Sequence, residues 1–296
     1  MLAAESLLRA EMMPQELEIK LTLEPAPADD AYRWLSSLPE TSVGPTKRLA
    51  NTYFDTPDAS LNRLKAALRI RKAGDRYIQT LKTQGEFVAG AHRRLEWEWP
   101  LPSAVLDRDL LLATSLVDSV SLDELKPVFE TNFERRILML DDGKAVIECA
   151  FDRGEIVSGG QSVPLCEVEF ELKSGQEDRL LYWASKLGEQ VSFFINLISK
   201  AEQGYFLAGV HRPASLSAGA EPVSKLFHGL SRLWLTGELP QEYVEAVAEL
   251  KAKETKTDWR TEIELFERLM AEPSSAKVSD LGKAQLALLR TGVADE

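Results

Sequence analysis

Polar and apolar side chains alternate near the start of the chain, where Glu16, Glu18, Lys20 and Thr22 fall between Leu17, Ile19, Leu21 and Leu23. Successive residues of a strand point to opposite faces, so the stretch predicts a strand with one wholly apolar face and one face carrying two carboxylates and an ammonium. The same period recurs in "RLANTYFDT", "LKAALRIRK", "RYIQTLKT", "HRRLEWEWP", "TNFERRILML", "KAVIECAFD" and "VPLCEVEFELK". Gly, Pro or Asp-rich turn signals bound several of these runs, among them Pro57-Asp58, Gly74, Gly85 and Pro100. Asp142-Gly143 is a hairpin signal between two of the runs. Helical periodicity marks "APADDAYRWLSSLPE", "DRDLLLATSLVDSV" and "EDRLLYWASKLGEQ". The pattern predicts an α+β chain built on an eight-stranded antiparallel β-barrel with flanking helices.

The faces of these strands sort the charges. Arg69 and Arg71 share one face, as do Thr80 and Lys82, then Arg94, Glu96 and Glu98, then Glu148 and Asp152, then Glu167, Glu169 and Glu171. Opposite them lie Leu68 and Ile70, Leu95, Trp97 and Trp99, Ile147, Cys149 and Phe151, and Val168, Phe170 and Leu172. A small barrel ordinarily fills its interior with apolar side chains. Here the apolar faces can instead pack outward against helices, which turns both signs of charge inward. Buried charges are expensive unless paired or bound to a ligand. Guanidinium and ammonium groups suit phosphate, and clustered carboxylates suit hard divalent cations, so the interior predicts a cavity for a metal and a polyphosphate. The competing arrangement is a wet sheet surface on which the charges neutralise one another in cross-strand pairs.

Composition narrows the function classes. The 296 residues carry 47 acidic and 35 basic side chains, a formal charge of -12, which disfavours general adhesion to nucleic acid or an anionic membrane. Basic residues nonetheless concentrate between Lys47 and Arg94. No run approaches the roughly 18 apolar residues of a membrane span, and the first residues lack the apolar stretch of a secretory signal, so a cytoplasmic location is expected. Two cysteines without CxxC spacing and three histidines argue against a disulfide scaffold, a zinc site or a Cys-His pair; the cysteines read as small buried apolar residues.

At Glu16, Glu18 and Lys20 the segment "ELEIK" resembles the ExExK signature of the CYTH superfamily, the triphosphate tunnel metalloenzymes. "NTYFDTPDASLNRLKAALRIRK", "IQTLKT", "RRLEWEWP", "FERRILML", "IECAFDRGEI", "CEVEFELKSG" and "SKAEQGY" follow in the family's order, and the likeness is greatest to bacterial inorganic triphosphatases. The resemblance implies an eight-stranded tunnel, with Glu16, Glu18, Glu167, Glu169 and Asp152 as ligands of Mg²⁺ or Mn²⁺. It also implies Lys20, Arg69, Arg71, Lys82, Arg94, Arg135 or Arg136, and Lys200 as triphosphate-binding bases, Lys20 being grouped with the four glutamates as catalytic. Arg135 and Arg136 are adjacent and must face opposite ways in a strand, so the sequence does not choose between them. Glu171 extends the last carboxylate row toward a tunnel mouth. The implied activity is metal-dependent hydrolysis of inorganic triphosphate, or of another triphosphate, to phosphate and pyrophosphate. Class IV adenylate cyclase and a non-enzymatic polyphosphate-binding module are the alternatives.

The domain organisation expected is an N-terminal extension over 1–13, a tunnel domain over 14–210, a Pro, Ala, Ser and Gly-rich linker over 211–224 and a small helical region over 225–296. Bacterial relatives often carry a helical CHAD domain after the tunnel, whose basic and histidine residues engage phosphates; this tail is shorter, has no histidine after His228 and is acidic in its middle, which favours packing or dimerisation over phosphate binding. It is expected to serve packing or dimerisation, a homodimer being possible, and to be dispensable for activity.

Overall fold

The computed structural model describes residues 16–83, 86–88, 91–94, 96–114, 119–216, 219–253, 259–272 and 278–292. The expected N-terminal extension therefore lies outside the described residues. Strands β1 (Glu16–Thr22), β2 (Thr41–Asp55), β3 (Ala67–Ala73), β4 (Arg76–Lys82), β5 (Glu86–Val88), β6 (Ala91–Arg94), β7 (Glu96–Leu101), β8 (Lys126–Asp141), β9 (Ala145–Ser158), β10 (Gln161–Gly175) and β11 (Phe194–Ile195) form one antiparallel sheet. Its order runs β6-β1-β10-β9-β8-β2-β3-β4-β7, with β5 on the outer side of β6 and β11 added to β1. β6 pairs with β1 while β7 pairs with β4, and the single residue 95 separates them. One stretch of chain thus bonds to both ends of the series, and eight strand positions make a ring. Two tight turns set the long β8-β9-β10 meander: Gly143 (φ 77°) follows Asp142, and Gly159 and Gly160 both have positive φ, as a two-residue hairpin loop requires.

The alternation of β1 decides which way the sheet faces. Leu17, Ile19, Leu21 and Leu23 are buried in a core outside the ring, together with Phe170 and with Ala28, Ala31 and Leu35 of helix α1 (Pro25–Ser36). Leu180, Trp183, Ala184 and Leu187 of α3 (Asp178–Gly188) enter the same core. A second outer core, around Leu68, Ile70, Leu81 and Trp99 with Trp97 against it, lies beneath Leu61 of the short α2 (Ser60–Arg63) and beneath Leu106, Leu111 and Val120. The helix expected over "DRDLLLATSLVDSV" is a 3₁₀ turn over Asp109–Ala113, with 115–118 outside the described residues.

A third cluster sits on the inward faces, contrary to a wholly charged interior. Leu49, Tyr53, Phe129, Phe133, Ile156 and Leu165 meet Tyr205 of α4 (Lys200–Leu207) and plug one part of the barrel. Ser199 caps α4 in a reciprocal capping box with Glu202, which fixes the helix start one residue before Lys200.

The C-terminal helices are α5 (Pro222–Thr236), α6 (Gln241–Lys253), α7 (Arg260–Ala271) and α8 (Val278–Gly292). Proline in its first turn lets α5 begin within the segment expected to be linker. These helices share the first outer core through Leu226, Phe227, Tyr243, Phe266 and Leu289. Gln285 closes two hydrogen bonds with the backbone of Ile195, at 2.7 and 2.9 Å, and Ser231 accepts from the Leu197 amide at 2.9 Å. The tail is continuous with the barrel's outer packing.

Candidate functional site

A cavity of about 1100 Å³ runs through the ring. Its two sides differ in sign. β1, β9 and β10 contribute Glu16, Glu18, Glu148, Glu169 and Glu171, whereas β2, β3 and β4 contribute Lys47, Arg69, Arg71, Arg76 and Lys82. This polarity follows from period-two alternation in each strand combined with the antiparallel register: Lys20 is opposite Glu169, Thr22 opposite Glu167, Glu167 opposite Asp152, and Asp152 opposite Arg135.

Glu169 of this lining belongs to a carboxylate trio whose other two members, Asp152 and Glu167, are buried behind the cavity wall. Oxygens of Asp152, Glu167 and Glu169 lie within 4.8 Å of one another, and among the described residues these are the carboxylates close enough to share one ion. Lys200 Nζ donates to all three, at 2.8 Å to Asp152 and 2.8 Å to Glu169, and in a short contact to Glu167. Arg135 forks onto Asp152 at 2.7 and 2.6 Å and reaches Glu169 at 2.6 Å. Three carboxylates thus meet two cations. Burial raises Glu167 above the ordinary carboxylate range despite the Lys200 ammonium. Burial also acts on Glu169, but Lys200 and Arg135 outweigh it and hold the group well below that range. Lys200 is raised in turn, because Asp152, Glu167 and Glu169 outweigh the burial that would discharge it. An all-oxygen set with a net negative charge fits a hard divalent cation, the phosphate oxygens of a ligand completing its shell.

The opposite wall sets Arg69 and Arg71 near Glu96 and Glu98 of β7. Arg71 Nε donates to the Asn51 amide oxygen at 2.8 Å. Burial, and then the neighbouring Arg69 and Arg135 guanidiniums, lower its pKa to about 10. Arg69 meets Tyr53 Oη at 3.4 Å and Glu96 at 3.7 Å, and its Nε is buried without a hydrogen-bond partner. Tyr53 is buried, yet its phenol is lowered because Arg69 offsets the desolvation. Clustered guanidiniums with an unsatisfied buried N–H are a poor arrangement for an empty site and a good one for an anion with several oxygens.

The other expected residues fall as follows. Lys82 bridges Glu16 at 2.9 Å and Glu96 at 3.0 Å across the seam of the ring. Lys20 is buried and donates to the Ile198 carbonyl at 2.8 Å. Glu16 and Glu18 line the same cavity from β1 but lie outside the tight trio. Glu171 pairs with Lys173 at 2.7 Å, and burial lifts its pKa to about 7. Arg94 stands opposite Glu16 in the backbone register, with its side chain outside the described residues. The choice between Arg135 and Arg136 is made by the outer face: Arg136 pairs with Asp29 of α1 at 3.0 Å and covers the Tyr32 ring at 4.2 Å. Arg136 therefore drops from the phosphate-binding set. The cross-strand pairing that was the alternative to a ligand cavity is also present, in the Lys82 and Arg135 contacts, but it reaches Arg69 only through Glu96 at 3.7 Å and leaves Arg71 bonded to the neutral Asn51. Asn51 and Tyr53 went unassigned in the sequence, although the alternation that marks Arg69 and Arg71 also puts them on the inward face of "NTYFDT".

The family description of the CYTH domain matches residues 14–205, about two thirds of the chain. This chain belongs to the CYTH family. An inorganic triphosphatase of Haemophilus influenzae is 34% identical over 201 residues, which are 66% of this CYTH protein and 56% of that relative. The chain spans about half the length of the curated relative it matches. Among solved structures, one from Hippeastrum, described as an adenylyl cyclase candidate with dominant triphosphatase activity, has a TM-score of 0.46 at 21% identity, over 66% of this chain and 96% of its own. An adenylate cyclase candidate from Bacillus halodurans has a TM-score of 0.39 at 17% identity, over 68% and 93%. At these values the structural likenesses assign no function.

Proposed function

We propose that this CYTH protein hydrolyses inorganic triphosphate to phosphate and pyrophosphate, with Mg²⁺ or Mn²⁺ held on the acidic side of the tunnel. The observation that carries the reading is a guanidinium pair lining the same cavity as Glu169 of the carboxylate trio: Arg69 has an unpartnered buried N–H, and Arg71 is lowered by burial and then by its cationic neighbours. Arg69, Arg71 and Lys82 would hold non-bridging phosphate oxygens, and Arg135 would stand between the phosphate and the carboxylates. Lys20 and Lys200, both fixed by hydrogen bonds, would neutralise the far end of the chain. Asp152, Glu167 and Glu169 would hold the cation, with Glu16 and Glu18 as a second carboxylate pair; when bound, the cation supplies charge neutralisation and Lewis-acid polarisation of a phosphoryl oxygen. The reacting group passes through a state whose charge spreads over its outer oxygens, so fixed cations around it can provide most of the rate enhancement by position and electrostatics.

The test is a product assay. Purified protein with Mg²⁺ or Mn²⁺ is given tripolyphosphate or ATP, and phosphate, pyrophosphate and cyclic AMP are quantified. Phosphate and pyrophosphate from tripolyphosphate support the reading. Cyclic AMP from ATP with inert tripolyphosphate would make the protein a cyclase. Tight tripolyphosphate binding without turnover under either cation would make it a binding module.

A further inference from the structure

A row of polar side chains crosses β8, β2 and β3. The register sets Thr131 opposite Asn51 and Asn51 opposite Arg71, so neighbours in the row stand on adjacent strands and on the same side of the sheet. Arg71 lines the cavity, whereas Asn51 and Thr131 are buried behind it. Asn51 Nδ2 donates to the Thr131 carbonyl at 2.9 Å and to Thr131 Oγ1 at 3.1 Å, and Asn51 Oδ1 accepts from Arg71 Nε at 2.8 Å. A backbone carbonyl only accepts and a guanidinium N–H only donates, so the network admits one orientation of the amide. Asn51 faces the wall and not the ligand.

This contact does two things to Arg71. It engages Nε, which sets the plane of the guanidinium fork and leaves both terminal nitrogens to other partners. Among the described residues Arg71 makes no further hydrogen bond or ion pair. The contact is also neutral. An aspartate at position 51 would have nearly the same shape but would form a charge-assisted pair with Arg71, as Asp152 does with Arg135 at 2.7 and 2.6 Å. The amide orients the guanidinium without offsetting its charge. An arginine held in advance loses less rotamer freedom when an anion arrives, and that ordering otherwise weakens binding.

Resting on the tunnel reading above, we propose that Asn51 is a positioning residue for Arg71: pinned by Thr131, it holds Nε so that both terminal nitrogens serve the phosphate chain, and its neutrality leaves the guanidinium charge to the substrate. The test is a double-mutant cycle on the full chain, read as KM for tripolyphosphate, a quantity that does not depend on how much of a preparation is folded. Asn51→Ala is expected to raise KM about three- to tenfold, because Arg71 must then be ordered at each binding event. In an Arg71→Ala background the same change should leave KM within about twofold, since no guanidinium remains to be held. Equal factors in the two backgrounds would make Asn51 a structural link between β2 and β8 and overturn the proposal. Asn51→Asp separates the tether from the charge: it keeps an acceptor for Nε, so a raised KM supports the role of neutrality and a parental KM refutes it. Should Asn51→Ala fail to fold, Thr131→Val, which removes only the hydroxyl that accepts from Nδ2, carries the cycle, with a smaller rise in KM expected only where Arg71 is present. A parent protein that binds tripolyphosphate without hydrolysing it defeats the hydrolase reading and not this one, and the cycle is then read as calorimetric dissociation constants. A parent without affinity for tripolyphosphate overturns both.

Discussion

Replacing Gly204 by alanine would force α4 against the inner plug of the tunnel. Gly204 lies one helical turn after Lys200 on α4, so the two positions share a face. A Cβ at Gly204 would sit 2.1 Å from Cδ2 and Cε2 of Phe129, far inside contact distance. Phe129 has little room to give, being stacked on Tyr53 at 4.5 Å and edge-on to Tyr205 at 5.0 Å. The helix must therefore move, and Lys200 with it. Overpacking of this kind costs about 1–3 kcal/mol, which for a chain of this size means a fall in Tm of roughly 2–5 °C. Catalysis should suffer more than stability, because a shift near 1 Å at a positioned cation can cost on the order of a hundredfold. Thermal unfolding by circular dichroism and kcat/KM for tripolyphosphate measure the two effects on one preparation. Relief of the clash by shortening the ring, Gly204→Ala with Phe129→Leu, should recover part of the activity. A single variant with parental Tm and parental kcat/KM would refute the argument that α4 positions Lys200 through this contact.

Arg69→Ala and Arg71→Ala should each lower kcat/KM for tripolyphosphate by roughly ten- to a hundredfold, and Lys at either place should restore only part, since an ammonium lacks the planar fork; steady-state kinetics on folded variants decide it. Asp152→Asn should weaken Mg²⁺ or Mn²⁺ binding in titration calorimetry, with an unaltered affinity counting against the trio as the cation site. A chain ending near residue 212 should be insoluble or lose its cooperative unfolding transition, because it strips α5 to α8 from the outer core and removes the partners of Phe193, Phe194 and Ile195; a soluble, active truncation would show that the barrel stands alone. Asp142 lies within 2.7 Å of the Trp183 indole and 2.8 Å of Arg179. Burial alone would raise its pKa, but these bonds and the Lys144 and Ala145 amides lower it, so its stabilising effect is full above the ordinary carboxylate range and fades as pH drops toward the lowered folded value. The stability gap between the parent and Asp142→Asn should be largest near neutrality and narrow below about pH 4 in urea titrations.

How far the site could be read from residues alone depended on range. Alternation is local, so the inward rows Glu16–Glu18–Lys20, Arg69–Arg71 and Glu167–Glu169 and the outward Leu17, Ile19, Trp97 and Phe170 were legible at once. Arg135 against Arg136 was not, because adjacent residues need a neighbour to break the tie and that neighbour, Asp29, is 107 residues away. The inner plug escaped because Phe129, Phe133 and Tyr205 are apolar residues on inward positions, a local exception that becomes visible only when α4 is seen to pack there. How the tail meets the barrel was hidden for a related reason: Pro, Ala, Ser and Gly in 211–224 read as linker, whereas Gln285 and Ser231 bond to Ile195 and Leu197, partners distant in sequence.

The ring bonds its own two ends through the segment 91–101 and keeps two of its three apolar cores outside, so the surface that holds the fold together and the surface that meets the ligand are opposite sides of the same strands. In an ordinary barrel a change of ligand means repacking the core. Here selection can act on the two sides in turn: inward positions can drift from one polyanion to another while the outward positions preserve the architecture. Such a scaffold can diversify in substrate without passing through unfolded intermediates, and a single strand records two histories at alternate residues.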